Sequence, residues 1–369
     1  MQPLGPTELS HRIIDQNLCT LCGACADLCP YVKAHEGKIS RVFSCDRQTG
    51  RCYAACPKTG IDEALLSEYL FKTPWPDTPL GHYREIHMAR RGNKVPQGHF
   101  QNGGTTSALV MSALEQGVID AAVLTGSDGL RPRPRLVTTA LEVLDCTASK
   151  YIAAPTVACL NRATGKGYQN LGIVGTPCQM TGLSTLRTNP LDLPDFKDVT
   201  GMTIGLFCTW ALETEGFLDY LLQQGIDPAS VQSMEIPPPP AENVLLTLEK
   251  EVKTLPLAEI RKRVLPGCAV CPDMTALFCD LSVGAFEEDP AWNTLIVRSE
   301  RGQALVDKAI ETGFLEIRPL SKTNIDNLTL AAANKRKRAL AAQERLGMLA
   351  PGFQEPLEIE AKQTITGFK

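Results

Sequence analysis

The chain has 369 residues, 43% of them apolar, and its 37 basic and 41 acidic residues leave a net charge of −4. That length and apolar content fit two domains with a substantial core, while the balanced charge excludes a basic footprint for nucleic acid and a polybasic membrane patch. No early segment has the charged start, apolar run and cleavage site of an export signal, and no stretch is apolar for the roughly 18 residues that span a bilayer, so a cytoplasmic protein without a transmembrane segment is expected.

In a reducing compartment, fourteen cysteines are not expected to form a disulfide framework, and thiolates held on metals explain their density better. Seven lie between Cys19 and Cys56. The run CTLCGACADLCP sets Cys19, Cys22, Cys25 and Cys29 at the C-x2-C-x2-C-x3-C-P spacing of bacterial ferredoxins. Three closely spaced thiolates wrap one face of a cubane, and the fourth points at a second cluster. Zinc sites favour two separated C-x2-4-C pairs, so zinc or plain packing suits this run poorly.

The second run, CDRQTGRCYAACP, holds Cys45, Cys52 and Cys56. By ferredoxin logic Cys56 completes a cluster with Cys19, Cys22 and Cys25, and Cys29 crosses to join Cys45 and Cys52. The second cluster is then one cysteine short, which fits either a 3Fe-4S species or a 4Fe-4S cluster with a non-cysteine ligand such as Asp46. Residues 1–72 thus read as an α+β, ferredoxin-like iron-sulfur domain. Three prolines in Thr73 to Pro79 disfavour helix or central strand, and 73–98 is taken as a linker and lead-in.

From there the pattern alternates. A helix is expected from Thr105 to Gly117, strands at Val118 to Leu124 and Leu171 to Val174, a helix from Gln179 to Leu186 and a strand at Met202 to Phe207. A helix from Glu213 to Gln224, closed by Gly225, and strands at Val244 to Leu248 and Thr294 to Val297 follow. This rhythm predicts an α/β domain over 99–320 with a mainly parallel or mixed sheet. Pro237 to Pro240 read as a stiff spacer. An alanine- and leucine-rich stretch from Asn324 to about Met348 reads as a long helix within the C-terminal segment 321–369. Its basic run, Lys335 to Arg338, reads as a solvated face, with docking to an acidic partner surface as the alternative.

Four cysteines of the large domain stand in distinctive settings: Cys178 in GIVGTPCQMTGL, Cys208 in IGLFCTW, and Cys268 and Cys271 in GCAVCPDM. Two of them end expected strands, and carboxyl ends of parallel strands are where α/β folds gather their sites. The four can meet there around a third cluster, although lone cysteines ending strands are often core residues. Cys146, Cys159 and Cys279 read as buried thiols. Gly103 and Gly104 precede a helix opened by Thr105 and Thr106, so bare N–H groups and hydroxyls would face a ligand's phosphates. A tight packing turn with a threonine cap fits the same residues.

At this point the sequence resembles a family, the beta subunits of coenzyme F-420-reducing hydrogenase and of related formate dehydrogenases. The resemblance rests on NGGTTSALVMSALEQGVID (Asn102 to Asp120), SKY (Ser149 to Tyr151), GTPCQMTGL, GLFC, and CAVCPDM followed by DLSVG, and with the ferredoxin runs it covers about 15 to 300. It implies an α/β flavoprotein domain with FAD rather than FMN and a further 4Fe-4S cluster on Cys178, Cys208, Cys268 and Cys271, giving two or three clusters in all. The flavin would be held by Asn102, Gly103, Gly104, Thr105, Thr106, Ser107, Ser149, Lys150 and Tyr151, with Lys150 neutralising a phosphate or the reduced flavin.

The implied activity passes electrons between these clusters and a soluble hydride carrier. The family implies a deazaflavin, and no G-x-G-x-x-G supports a nicotinamide in a Rossmann site. The implied partner is a catalytic redox subunit of hydrogenase, formate dehydrogenase or heterodisulfide-reductase type. Two alternatives are a stand-alone flavin and iron-sulfur reductase of a small organic substrate, similar to the chlorophyll reductases that share these motifs, and a flavin-free electron-transfer subunit. The chain departs from the family in the missing cysteine of the second run and in Cys279, which stands where the family has a small residue.

Overall fold

The computed structural model describes residues 4–237 and 241–348. Its N-terminal part is built of short pieces, as dense cysteine spacing requires: α1 (Pro6–Leu9), the hairpin of β1 (Val32–His35) and β2 (Lys38–Arg41), α2 (Arg51–Ala54) and α3 (Glu63–Phe71). Asp62 opens α3 by accepting a hydrogen bond from the Leu65 amide, a donor the helix itself cannot satisfy.

The large domain begins with β3 (Glu85–Arg91), α4 (Thr105–Glu115), β4 (Ala121–Asp128), β5 (Arg131–Val137), α5 (Thr156–Gly165), β6 (Leu171–Gly175), α6 (Pro177–Arg187), β7 (Thr200–Leu206) and α7 (Thr214–Gln223). It continues with β8 (Ser233–Glu235), β9 (Asn243–Thr247), β10 (Val252–Pro256), α8 (Leu257–Arg261), β11 (Leu281–Ala285), β12 (Asn293–Val297), α9 (Glu300–Glu311), β13 (Leu315–Pro319) and α10 (Lys322–Arg345).

Eight strands form one sheet in the order β13-β3-β12-β11-β7-β6-β4-β5. Its heart is parallel, β4 beside β6, β6 beside β7 and β7 beside β11. Antiparallel strands extend both flanks, β5 on one side and β12, β3 and β13 on the other. The sheet is therefore mixed. Strands β6 and β12 are buried at every residue, as strands covered on both faces must be, and β12 carries the polar Asn293 and Thr294 into that interior beside Leu295, Ile296 and Val297. The small antiparallel sheet β10-β9-β8 packs with α7 and α8 around Phe217, Leu221, Val244, Leu246 and Ile260.

All the expected helices and strands have counterparts among the described residues, with ends displaced by up to four residues. Pro238 to Pro240 of the proline spacer and residues 349–369 lie outside the described residues. The stretch 73–98 is more than a connection: it supplies β3, paired with both β12 and β13. Only Ile86 and Ala89 of this strand are buried, so it shows no period-two apolar pattern behind the prolines that precede it.

The ferredoxin layer lies directly on α5, α6 and α10, and one apolar cluster runs from Leu9, Ile13 and Leu18 through Ala158 and Val270 to Ala342. The Val157 amide donates to the Cys22 carbonyl at 3.2 Å, Asn161 Nδ2 donates to the Ala26 carbonyl at 2.7 Å, and Arg162 pairs with Asp27 at 2.6 Å. Gly182 of α6 permits the approach, because a Cβ there would stand 2.7 Å from Ala24 Cβ and 3.1 Å from the Ala55 carbonyl.

A glycine-to-alanine change inside a helix ordinarily stabilises by about 0.5–1 kcal/mol, whereas overfilling a close contact costs ~1–3 kcal/mol. Gly182→Ala is therefore expected to lower Tm by a few degrees, measured anaerobically by calorimetry; a raised Tm would show that the two layers are not closed against each other here.

Candidate functional site

Cys19, Cys22, Cys25 and Cys56 line a single cavity with Leu9, Ile13, Ile39 and Lys58. The loop brings the first three together, and Cys56 arrives from the residues just after α2. Burial raises the Cys19 thiol, pushes Cys22 and Cys25 well above the ordinary thiol range and Cys56 up to about 12, and the neighbouring thiols add to each shift. Thiols this dry and this crowded do not ionise alone; bound metal removes their protons outright. The chemistry of this donor set fits an iron-sulfur cluster.

Cys29, Cys45 and Cys52 form a second group, with Cys52 in electrostatic reach of the other two and raised chiefly by burial. Cys45 sits in the exposed stretch 41–49, and Asp46 beside it is exposed.

The third group comes from the large domain. Cys178 stands in the first turn of α6, which Thr176 and Gln179 cap reciprocally; Gln179 Oε1 accepts from the Thr176 amide at 2.7 Å. Cys208 follows β7, its amide donating to the Met274 carbonyl at 2.9 Å. Strands β6 and β7 are parallel neighbours, so both cysteines emerge at the same sheet edge. Cys268 and Cys271 reach them from the turn after α8, where the Ala211 amide donates to Cys268 Sγ at 3.4 Å. Each of Cys178, Cys208 and Cys268 lies in electrostatic reach of Cys271. Burial raises Cys178 and Cys208 and lifts Cys268 to about 11.

Cys178 is also in electrostatic reach of Cys19 and Cys22, so the first and third groups are neighbours across the seam between the layers. Among the described residues no three His, Cys, Asp or Glu side chains close on the point of a single metal ion. Cluster thiolates bind separate irons and stand further apart than the ligands of one ion.

Cys279 is packed in the core, its thiol donating to the Ala276 and Leu281 carbonyls, and Cys159 is buried. Cys146 departs from expectation: it is only half-buried, because the 3-10 turn Leu141–Cys146 lies at the surface.

The basic run on α10 also departs from expectation. Lys335 is 5% exposed, and its Nζ donates to the Cys208 carbonyl at 2.6 Å and the Asp273 carbonyl at 2.7 Å. Arg336 makes two hydrogen bonds of 2.7 and 2.8 Å to Glu63 of α3, while Lys337 and Arg338 face solvent. The signal was present in the sequence: Ala332, Lys335, Ala339 and Ala342 form a buried stripe at helical spacing. Lys58, also 5% exposed, carries no comparable signal.

The loop before α4 and the segment 147–151 meet through Gln101, whose Oε1 accepts from the Ser149 amide at 2.9 Å and whose Nε2 donates to Tyr151 Oη at 3.1 Å. Sequence reasoning did not find Gln101. Gly103 serves close packing, since a Cβ there would lie 2.9 Å from Asn293 Oδ1, and Gly104 is left-handed at φ +71°. Thr105 is committed to the fold: its hydroxyl donates to the Ala89 carbonyl at 2.8 Å and its amide to Asn293 Oδ1 at 3.2 Å. The amides of Thr106 and Ser107 in the first turn have no intrahelical acceptor. Lys150 turns onto the Thr147 and Ala148 carbonyls, and burial lowers its pKa; burial raises that of Tyr151.

Fold and thiol groups together define an iron-sulfur electron-transfer protein, a ferredoxin module fused to an α/β domain. Residues 12–32 match the 4Fe-4S binding domain, 87–161 the N-terminal part of the coenzyme F420 hydrogenase/dehydrogenase beta subunit, and 168–323 its C-terminal part. The chain is 30% identical to the coenzyme F420 hydrogenase subunit beta of Methanosarcina barkeri, over 70% of this chain and 90% of that one. It is 27% identical to the protein of the same name in Methanothermobacter thermautotrophicus, over 74% and 99%. A chain in a solved structure of the F420-reducing [NiFe] hydrogenase complex from Methanosarcina barkeri superposes with a TM-score of 0.66 at 27% identity, covering 73% of this chain and 94% of that one. The protein belongs to the family of coenzyme F420 hydrogenase/dehydrogenase beta subunits. Among the described residues no helix is long and apolar enough to cross a membrane.

The Arg336–Glu63 pair ties α10 to the ferredoxin layer with both side chains mostly buried, and hydrogen bonds to charged groups contribute about 1.5–3 kcal/mol. Glu63→Gln should lower unfolding free energy by roughly that amount in denaturant titrations, and the double variant Glu63→Gln with Arg336→Gln should lose less than the sum of the single changes.

Proposed function

We propose that this protein carries electrons between iron-sulfur clusters and a hydride carrier, coenzyme F420 or a similar deazaflavin, through bound FAD, as the beta-type subunit of a larger redox complex. The observation that carries this reading is the meeting of the first thiol group with the large-domain group, Cys178 lying in electrostatic reach of Cys19 and Cys22. Electrons entering one module then have a short path to the other. The domains are taken as 1–72 for the ferredoxin module, 73–98 as lead-in, 99–320 for the flavin and 4Fe-4S domain, and 321–369 for the C-terminal helix and tail.

In this reading Cys19, Cys22, Cys25 and Cys56 hold one 4Fe-4S cluster, Cys178, Cys208, Cys268 and Cys271 another, and Cys29, Cys45 and Cys52 a third that is either 3Fe-4S or completed by Asp46. A flavin supplies the conversion between two-electron hydride chemistry and single electrons. Asn102, Thr106 and Ser107 offer it side chains and open amides, Gly103, Gly104 and Thr105 shape the turn, and Ser149, Lys150 and Tyr151 close the opposite wall. Relatives named coenzyme F420 hydrogenase subunit beta and coenzyme F420-dependent sulfite reductase support an F420-linked role. The names of the hydrogenase subunits support a catalytic partner of hydrogenase type. The sulfite reductase aligns over only 46% of its length, so it supports a shared module rather than a shared reaction.

Two measurements test this. Released FAD, with iron and sulfide for three clusters after anaerobic purification, is the expected composition, and Cys271→Ser should lower iron by one cluster's worth; unchanged iron would falsify the large-domain ligand set. Gln101→Ala, which unties the two walls of the cradle, is expected to lower flavin occupancy at least tenfold with iron unchanged. Well-folded protein with iron for two clusters and no flavin would leave only an electron wire.

A further inference from the structure

Two lysine ammonium groups are buried along the line of thiol groups, and the function above assigns them nothing. Lys58 lines the cavity of Cys19, Cys22, Cys25 and Cys56. It lies in electrostatic reach of Cys19 and Cys56 on one side of the seam and of Cys178 and Cys268 on the other. Among the described residues no carboxylate is within ion-pair distance of it. Lys335 reaches the large-domain group from α10, held by the Cys208 and Asp273 carbonyls, with the buried Asp273 carboxylate also in its electrostatic reach. Both are 5% exposed.

Burying an ammonium without a carboxylate partner, as at Lys58, is costly, and such a group persists where another negative charge compensates it. Thiolate-bound clusters are such charges. Each one-electron reduction adds a negative charge to the cluster, and in a dry, low-dielectric setting a fixed cation beside it stabilises the reduced form more than the oxidised one. The two lysines differ in reach: Lys58 sits between two groups and acts on both, whereas Lys335 touches the large-domain loops alone.

We propose that Lys58 and Lys335 are positioning residues that set the reduction potentials of the first and large-domain clusters, with Lys58 raising both across the seam and Lys335 raising the large-domain cluster alone. This rests on the cluster assignment above.

The test is a redox titration followed by EPR on the full-length chain, with iron and sulfide counted. Lys335→Met is expected to shift the large-domain midpoint to more negative potential and leave the first cluster unmoved. Lys58→Met should shift both midpoints negatively, and Lys58→Arg and Lys335→Arg should keep the wild-type values. Unshifted midpoints in the methionine variants with full iron overturn the proposal, as do arginine variants shifted as far as the methionine ones. If a methionine variant loses iron, the arginine variant decides: iron and potential retained there carry the proposal, and iron lost there too assigns the lysine to packing and overturns it. Wild-type protein lacking a large-domain cluster signal would instead remove the ligand assignment on which the proposal stands, a result distinguishable from unshifted midpoints.

Discussion

At Gly182 a bare Cα lets helix α6 lie against Ala24 and Ala55 of the ferredoxin layer, and the remaining arrangement depends on that contact. Cys178 stands one turn earlier on the same helix, so the depth to which the ferredoxin loop settles fixes its separation from Cys19 and Cys22. A larger side chain would push apart two thiol groups as well as two packing surfaces. Packing density at this seam therefore fixes the spacing of the two thiol groups as well as contributing to stability.

The same seam imposes an electrostatic constraint. Thiol groups collected in dry surroundings resist ionisation, and burial raises Cys22, Cys25 and Cys178 accordingly. A fold that gathers them as thiolates also needs positive charge, from metal ions, from buried side chains, or from both. Helix α10 answers part of that demand. It leaves β13, crosses back over the ferredoxin module and brings Lys335 against the Cys208 and Asp273 carbonyls, while Arg336 is anchored on Glu63. One helix thus serves as clamp and as source of charge.

The cradle beside α4 follows a different logic. Its glycines and Thr105 are used up in closing α4 onto β3 and Asn293, and Gln101 joins the two loops that would face a flavin. What remains open to a ligand is the first turn of α4 and the side chains of Asn102, Thr106 and Ser107.

Local chemistry made the ferredoxin cysteines legible from sequence, because cluster ligation demands fixed spacing on a short loop. The alternation of α4, β4, β6, α6 and β7 was legible for an equally local reason: buried parallel strands are unbroken apolar runs, and their helices carry a 3.6-residue stripe. Tertiary structure alone decided the rest. That β3 pairs with β12 and β13 across more than 200 residues, that Gln101 bridges two loops, and that Lys58 and Lys335 face thiols are properties of contacts between distant segments, which leave no periodic trace along the chain. A charged residue looks the same in sequence whether it faces solvent or a buried thiol group, and only its neighbours in space distinguish the two.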